Sequence, residues 1–144
     1  MTGTVGGILL LGRILFSVFF LSSGVAHVKR RHTMVEDAKA SGFPVPLLVG
    51  WPAGLWLLAA VVSIAAGVWP EIGALMIAAF VILAGLLFHR YWKVDDPVQR
   101  QMQQMYFLRN ITFLGSALSL FAIFMGTGES LRFVLIAPIL NVHL

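Results

Sequence analysis

Arg13 is a charged residue within the apolar run of residues 5–31, which is long enough to cross a bilayer as a helix. A charge at the centre of such a helix costs roughly 2.5–3.5 kcal/mol, so the guanidinium must find partners inside a bundle or reach the headgroups. Helical spacing places Ser17, Gly24 and His27 on the same side. The sequence therefore predicts an inward polar stripe that could hold an anion, a quinone or a carboxylate, with snorkelling of Arg13 as the alternative.

Two histidines end predicted spans, His27 the first and His89 the third. On neighbouring helices at one depth, such a pair could ligate a haem iron, bind a metal or hold a quinone headgroup. Interfacial histidines also need no ligand, and no propionate-binding pattern supports haem. The chain has no cysteine, which excludes disulfides, thiol catalysis and cysteine-ligated zinc or iron–sulfur centres within it. We therefore expect no metal site and no certain cofactor, with a quinone favoured over haem.

A polar face also opens the fourth apolar run, where Arg109 and Asn110 are followed at helical steps by Ser116 and Ser119. An amide at the depth of Asn110 should hydrogen-bond to another helix. Small hydroxyl residues often line helix contacts in membranes. Ser116 and Ser119, like Gly24 in the first run, are therefore predicted to be helix-packing positions.

Four apolar runs must position these side chains, at about residues 5–28, 47–68, 71–89 and 107–126. Each is close to the roughly 20 residues that a bilayer-spanning helix needs. Hydrophobic residues make up 59% of the 144-residue chain and charged residues only 11%, against about 25% charged residues in soluble domains. The sequence predicts an all-α integral membrane protein, a four-helix transmembrane bundle that forms a single domain over residues 1–144.

The connections carry signals of their own. Residues 33–41 could form two helical turns, and Asp96 followed by Pro97 is typical of a helix N-terminus. Pro70 suits the first turn of the third span, after a tight helical hairpin. The tail, residues 129–144, holds an apolar stretch too short to span. It could lie at the membrane interface, cap the bundle or contact a partner.

Lysine and arginine residues set the predicted orientation. The two long connections, residues 29–46 and 90–106, contain seven of them, whereas the opposite side contains only Arg132. The positive-inside rule places both long loops in the cytoplasm and both termini outside. Lipid headgroups account for the net charge of +4, so no nucleic-acid partner is predicted.

Several short segments of the chain resemble the DoxX family, small four-helix membrane proteins of bacteria. The matching features are GRILFSVFFLSSGVAHV in the first span, GFPVP before the second, FHRYW ending the third and LRNITFLGSALSL in the fourth. The resemblance covers about residues 7–125 and implies a four-helix bundle in the bacterial inner membrane, linked to membrane redox systems. Some family members resemble the membrane subunit of thiosulfate:quinone oxidoreductase, and others associate with oxidative-stress enzymes.

On this resemblance, Arg13, Gly24, His89 and Asn110 match polar or small positions of the family, whereas His27 stands where a lysine is more usual. One departure concerns an acid. Many relatives carry a glutamate in the second span, but the corresponding segment here, WPAGLWLLAAVVSIAAG, has none. Proton-coupled quinone chemistry is therefore less expected than a supporting role.

The leading hypothesis is an inner-membrane subunit that supports an oxidoreductase or respiratory-complex partner, with a quinone between the helices. Candidate ligand-binding residues are Arg13, His27, His89, Arg109 and Asn110, and no catalytic residue is predicted. Any enzymatic role would belong to a quinone-linked oxidoreductase in which this chain is one subunit.

Two alternatives remain. The first is a non-catalytic scaffold subunit of a larger membrane complex, favoured by the missing acid and by the amphipathic, Met-rich residues 98–105. The second is a small-molecule transporter, which the four short helices support little because neither broken helices nor inverted repeats are evident. The sequence also leaves open a homo-oligomer.

Overall fold

The computed structural model describes residues 2–140, and five α-helices dominate this part of the chain. They are α1 (Gly3–Lys29), α2 (Arg31–Ala40), α3 (Trp51–Val62), α4 (Pro70–Phe88) and α5 (Pro97–Thr127). A 3-10 turn lies before α3, another lies before α5 and a third follows α5; their bounds are Pro46–Val49, Tyr91–Lys93 and Gly128–Ser130.

Four stretches are long and apolar enough to cross a membrane, which confirms the predicted four-helix bundle. They are Gly3–Lys29, Pro46–Gly67, Pro70–Lys93 and Pro97–Ser130. The predicted helical turns at residues 33–41 correspond to α2. The helix start at Pro97 is also confirmed, because Asp96 Oδ1 accepts a hydrogen bond of 2.8 Å from the backbone N–H of Gln99.

The spans pack in chain order, α1 against α3, α3 against α4, and α4 against α5. Neighbouring spans run antiparallel, since the start of α1 meets the end of α3 and the start of α4 meets the end of α5. Apolar side chains from all four fill the centre of the bundle; the most deeply buried include Phe20, Leu57, Ile64, Ile77, Val81 and Ala117. These buried side chains pack densely against one another, so they fill the centre of the bundle and leave no central pore among them.

Two glycines bring α1 and α3 into close contact. A Cβ atom at Gly54 would lie 2.9 Å from the carbonyl oxygen of Gly24, and one at Gly24 would lie 3.2 Å from that of Gly54. Small residues at facing positions allow helix backbones to approach in a membrane, where dispersion contacts replace the hydrophobic effect.

The turn between α3 and α4 departs from regular helix. α3 continues as a π-helical turn over Ser63–Gly67, and Gly67 ends it with φ of +70°. Ser63 Oγ donates to the carbonyl of Trp69 at 2.8 Å and accepts from the N–H of Gly73 at 3.0 Å. The hydroxyl of Ser63 therefore links the C-terminal end of the second span to the first turn of α4.

The N-terminal part of α1 extends beyond the hairpin between α3 and α4. Arg13 lies opposite Ile64, only a few residues before the turn, so the ten residues of α1 that precede Arg13 continue about 15 Å beyond the level of Ile64. The tail fills the resulting notch: Leu131 is buried against Ala74 and Phe124. Of the placements predicted for the tail, the structure shows the cap, and residues 141–144 lie outside the described residues. We call this the termini end of the bundle and the opposite one the loop end.

α5 is longer than a bilayer is thick. Its 31 residues span about 46 Å, against about 30 Å of hydrocarbon. The first turns of α5 therefore extend past the apolar layer at the loop end as a straight continuation of the span. Val98, Met102 and Met105 form an exposed apolar stripe along this extension.

Candidate functional site

Arg13 is completely buried, with 0% of its surface exposed, so its side chain does not snorkel. Its guanidinium donates three hydrogen bonds to backbone carbonyls. Nε reaches Ile64 O at 2.7 Å, Nη2 reaches Ala65 O at 3.0 Å and Nη1 reaches Phe133 O at 3.0 Å. The π-helical turn leaves two of these carbonyls free of helix partners, and Arg13 satisfies them.

No carboxylate neutralises Arg13 within the described residues, where the single ion pair joins Lys39 and Glu36 on the surface. The carbonyls that Arg13 binds lie at the C-terminal, negative end of the second span, which favours a cation there. Arg13 therefore acts as a cap for that helix and ties it to α1 and to the tail.

Glu71 is a second buried ionisable residue and is absent from the predicted site residues. It is also 0% exposed. Oε1 accepts from the N–H of Ile139 at 2.7 Å and from that of Leu140 at 3.3 Å. Its position in the first turn of α4 places the carboxyl at the positive end of the helix dipole. The available signal was an acid with no nearby lysine or arginine in an otherwise uncharged hairpin.

A shallow groove of about 590 Å³ separates α1 from α5 on the surface of the bundle. Its wall on α1 includes Gly12 and Phe16, and its wall on α5 includes Thr112, Gly115, Ser116 and Ser119. Since both walls are spans, the groove opens laterally toward lipid.

Arg109 stands one helical turn from the Thr112 end of this groove. Its guanidinium carbon lies 5.1 Å from the centre of the Phe19 ring and 4.9 Å from that of Tyr106. Such cation–π contacts stabilise a cation by about 0.5–2 kcal/mol each. Arg109 is exposed and has no carboxylate partner among residues 2–140, so its N–H donors remain accessible on the surface of the bundle.

The hydroxyl groups in the groove have their protons directed into α5. Thr112 donates to Leu108 O at 3.1 Å, Ser116 to Thr112 O at 3.0 Å and Ser119 to Gly115 O at 2.9 Å. Their oxygen lone pairs remain as acceptors on the groove wall. The groove therefore offers acceptors along its length, and Arg109, which does not line it, lies one helical turn beyond its Thr112 end.

Comparison with known families is decisive for the first four helices. Residues 8–90 match the model of the DoxX family, which is more than half of the chain. The chain belongs to the DoxX family. No curated protein and no solved structure gives a match of its own. With four membrane-length helices in addition, this DoxX protein is a multi-pass membrane protein whose spans contact the lipid bilayer.

The DoxX match includes Arg13, His27, Glu71 and His89 but ends before α5. Arg109, Asn110 and the tail therefore lie outside the matched region, although the bundle places α5 against α4. The wider resemblance predicted over the fourth span stays a prediction.

The two histidines of this DoxX chain have different surroundings. His27 Nδ1 donates to the carbonyl of Val49, and its ring meets Phe80 edge-on. His89 Nδ1 donates to Gln103 Oε1 at 2.9 Å, and its ring lies 5.3 Å from that of Tyr106. Within residues 2–140, no three His, Asp or Glu side chains form a group that could hold a metal ion.

Asn110 is buried between α5 and α4, beside Gly85. We expected its amide to hydrogen-bond to another helix, but Nδ2 has no partner among the described residues. Ser17 Oγ is buried in the same unpartnered state on α1. Of the predicted ligand residues, the structure therefore places His89 and Arg109 around Tyr106, and leaves Arg13 and His27 elsewhere in the bundle.

Proposed function

We propose that this DoxX protein is a membrane subunit of a quinone-linked redox system, and that the groove between α1 and α5 is its quinone site. The observation that carries the proposal is Arg109, an exposed cation on aromatic rings one helical turn beyond the end of a groove that opens toward lipid. A charged side chain in an apolar span is energetically costly, so it is expected to serve either ligand binding or structure.

The chemistry of the groove suits a quinone headgroup. A flat ring can pack on Phe16 in the groove, and a carbonyl oxygen directed along α1 toward Phe19 can accept an N–H from Arg109. After reduction, a quinol hydroxyl can donate to the free lone pairs of Ser116 or Ser119. The isoprenoid chain would leave the groove sideways into the bilayer.

Electron transfer would belong to a partner. The chain has no cysteine and so no cysteine-ligated redox centre, and its side chains in the groove would supply binding and orientation. We place the protein in the bacterial inner membrane with the loop end in the cytoplasm, where seven lysines and arginines face the partner and the anionic headgroups.

Photolabelling with a quinone analogue tests the site in full-length protein in lipid nanodiscs. Arg109→Leu removes the donor, and Gly12→Leu fills the groove, since nothing lies within 4 Å of a Cβ there. Losing a hydrogen bond to a charged group should weaken labelling about tenfold or more. Gly7→Leu, at an equally open position of α1 outside the groove, and Arg30→Leu are the controls. Equal labelling of all five proteins would refute the quinone site.

A scaffold role is the second candidate, and one observation favours it. Val98, Met102 and Met105 are exposed on the part of α5 that extends past the hydrocarbon, where lipid does not cover them. Met-rich stripes suit adaptable protein contacts. In native membranes, a cross-linker on Met102→Cys should capture a partner that Gln104→Cys does not, because Gln104 lies about 200° away around the helix. Equal capture from both positions would contradict this role.

A further inference from the structure

A second groove, of about 620 Å³, runs between α3 and α4 on the surface of the bundle. Its wall on α3 includes Leu55, Leu58 and Val62, and its opposite wall includes Trp69, Ile72 and Met76. On each wall these residues recur at steps of three or four, so each wall is one helix face and the groove runs parallel to the helix axes. A ligand in this groove would therefore lie along the spans, in the direction of the lipid chains.

The groove covers most of one leaflet. α4 is about 28 Å long, close to the roughly 30 Å of hydrocarbon, so its first turn lies near the hydrocarbon boundary at the termini end. From Trp69 to Met76 the groove descends about 10 Å, out of about 15 Å in one leaflet. The groove is therefore open at the headgroup level and reaches toward the middle of the bilayer.

The polar side chains at the two ends of the groove already have partners. Trp56 Nε1 donates to Met76 O at 2.9 Å, so the indole crosses from α3 to α4 at the deep end. At the shallow end, the Ser63 hydroxyl donates to Trp69 O and accepts from the N–H of Gly73. The described residues that line the groove include no charged side chain. An occupant therefore contacts mainly hydrocarbon and needs no hydrogen-bonding group.

The size of the lining side chains favours a thin, flexible occupant over a second helix. Helices in membranes pack closely at small residues, as α1 and α3 do at Gly24 and Gly54. The groove between α3 and α4 has Ala59 and Ser63 as small residues, and leucine, valine, isoleucine, methionine and tryptophan side chains make up the rest. These side chains keep a helix of about 10–12 Å diameter at a distance. An acyl chain can enter between them and gain dispersion contacts along its length.

We propose that this groove binds one acyl chain of a phospholipid from the leaflet at the termini end, and that this lipid remains bound during purification. The chain would extend from Trp69 to Trp56, and the phosphate would lie outside the groove at the level of the tail. Because the described lining contains no cation, the site selects a hydrocarbon chain rather than a particular headgroup. The inference is independent of the quinone proposal, because the quinone groove lies between α1 and α5.

Native mass spectrometry of the full-length protein, purified from its membrane in a mild detergent, tests the site. The wild type should carry one phospholipid per chain, and Ala59→Phe should lose it because the ring fills the groove. Val62→Phe should also reduce it, and this change leaves the core intact because Val62 is 59% exposed. Ala79→Phe, the same substitution at an exposed position of α4 outside the groove, is the control and should retain the lipid. Should Ala59→Phe not elute as a single peak, Val62→Phe decides in its place.

Photoactivatable phospholipids in nanodiscs test the direction of the chain. A diazirine near the end of the acyl chain should label peptides around Trp56 and Met76, and one near the glycerol should label peptides around Trp69, in each case more in the wild type than in Ala59→Phe. Retention by the wild type and Ala79→Phe, but not by Ala59→Phe, together with this order of labelling supports the inference. Equal retention by the two alanine variants, a wild type without phospholipid, a bound quinone in its place or the reverse order of labelling overturns it. None of these results changes quinone labelling of the Arg109 variant, so the two proposals can be judged separately.

Discussion

Alanine at Gly67 should destabilise the fold through two separable effects. Gly67 has φ of +70°, a conformation that costs an L-residue about 1–2 kcal/mol. The added Cβ would also lie 2.6 Å from Arg13 Nη2 and 2.8 Å from Val134 Cα. Arg13 cannot retreat without breaking its bonds to the carbonyls, so the overlap adds about 1–3 kcal/mol. The expected loss of unfolding free energy is therefore about 2–5 kcal/mol.

Two other glycines separate these effects. Gly42 has φ of +72° but nothing within 4 Å of an added Cβ, so Gly42→Ala should show the backbone strain alone. Gly115 lies within α5 at an equally open position with ordinary helical geometry. Gly115→Ala should be neutral or stabilising by up to about 1 kcal/mol, because alanine is the better helix former.

Thermal unfolding in a mild detergent, followed by size-exclusion chromatography after heating, measures the order of the three variants. At about 2–4 °C per kcal/mol, Gly67→Ala should lower the midpoint by roughly 4–20 °C. Gly42→Ala should lower it by only a few degrees, and Gly115→Ala should not lower it. If Gly67→Ala and Gly42→Ala were equally destabilising, Arg13 would not be fixed against the turn, and the capping role argued for it would be wrong.

Three further changes probe other contacts by the same thermal assay. Arg13→Lys should destabilise the protein by about 1–3 kcal/mol although the charge is kept, because one ammonium cannot reach three carbonyls; stability equal to the wild type would contradict this. Gly54→Ala places a Cβ 2.6 Å from a side-chain atom of α1 and should destabilise, whereas Gly85→Ala, with its nearest neighbour at 3.6 Å, should be tolerated. Asp96→Ala removes the cap of α5 and should cost about 1 kcal/mol, which Asp96→Asn should largely restore.

The four spans and their boundaries could be predicted because they depend on local sequence. Apolar runs of bilayer length leave few alternatives to helices, since unsatisfied backbone groups are costly in lipid. Pro70, and Asp96 with Pro97, mark helix starts by fixing φ or by satisfying an orphan N–H. These signals act within a few residues, so they can be read without knowing the fold.

The partners of the buried charges could not be predicted, because they are distant in sequence. Arg13 binds carbonyls 51 and 120 residues away, and Glu71 accepts from N–H groups 68 and 69 residues away. Backbone carbonyls and N–H groups are present at every position and carry no sequence signature. Only the register between α1, the short hairpin and the tail decides which of them meet a given side chain.

The two arginines in the spans show how burial and partner geometry separate structural from ligand-binding charges. A charged side chain in an apolar segment costs free energy in both cases. For Arg13, hydrogen bonds to three carbonyls at a helix end offset this cost in a fully enclosed place, which gives it a clear structural function. For Arg109, contacts with two aromatic rings offset part of the cost, and the side chain stays exposed, so an acceptor can still approach. On these grounds, loss of Arg13 should act first on stability, whereas loss of Arg109 should act first on binding.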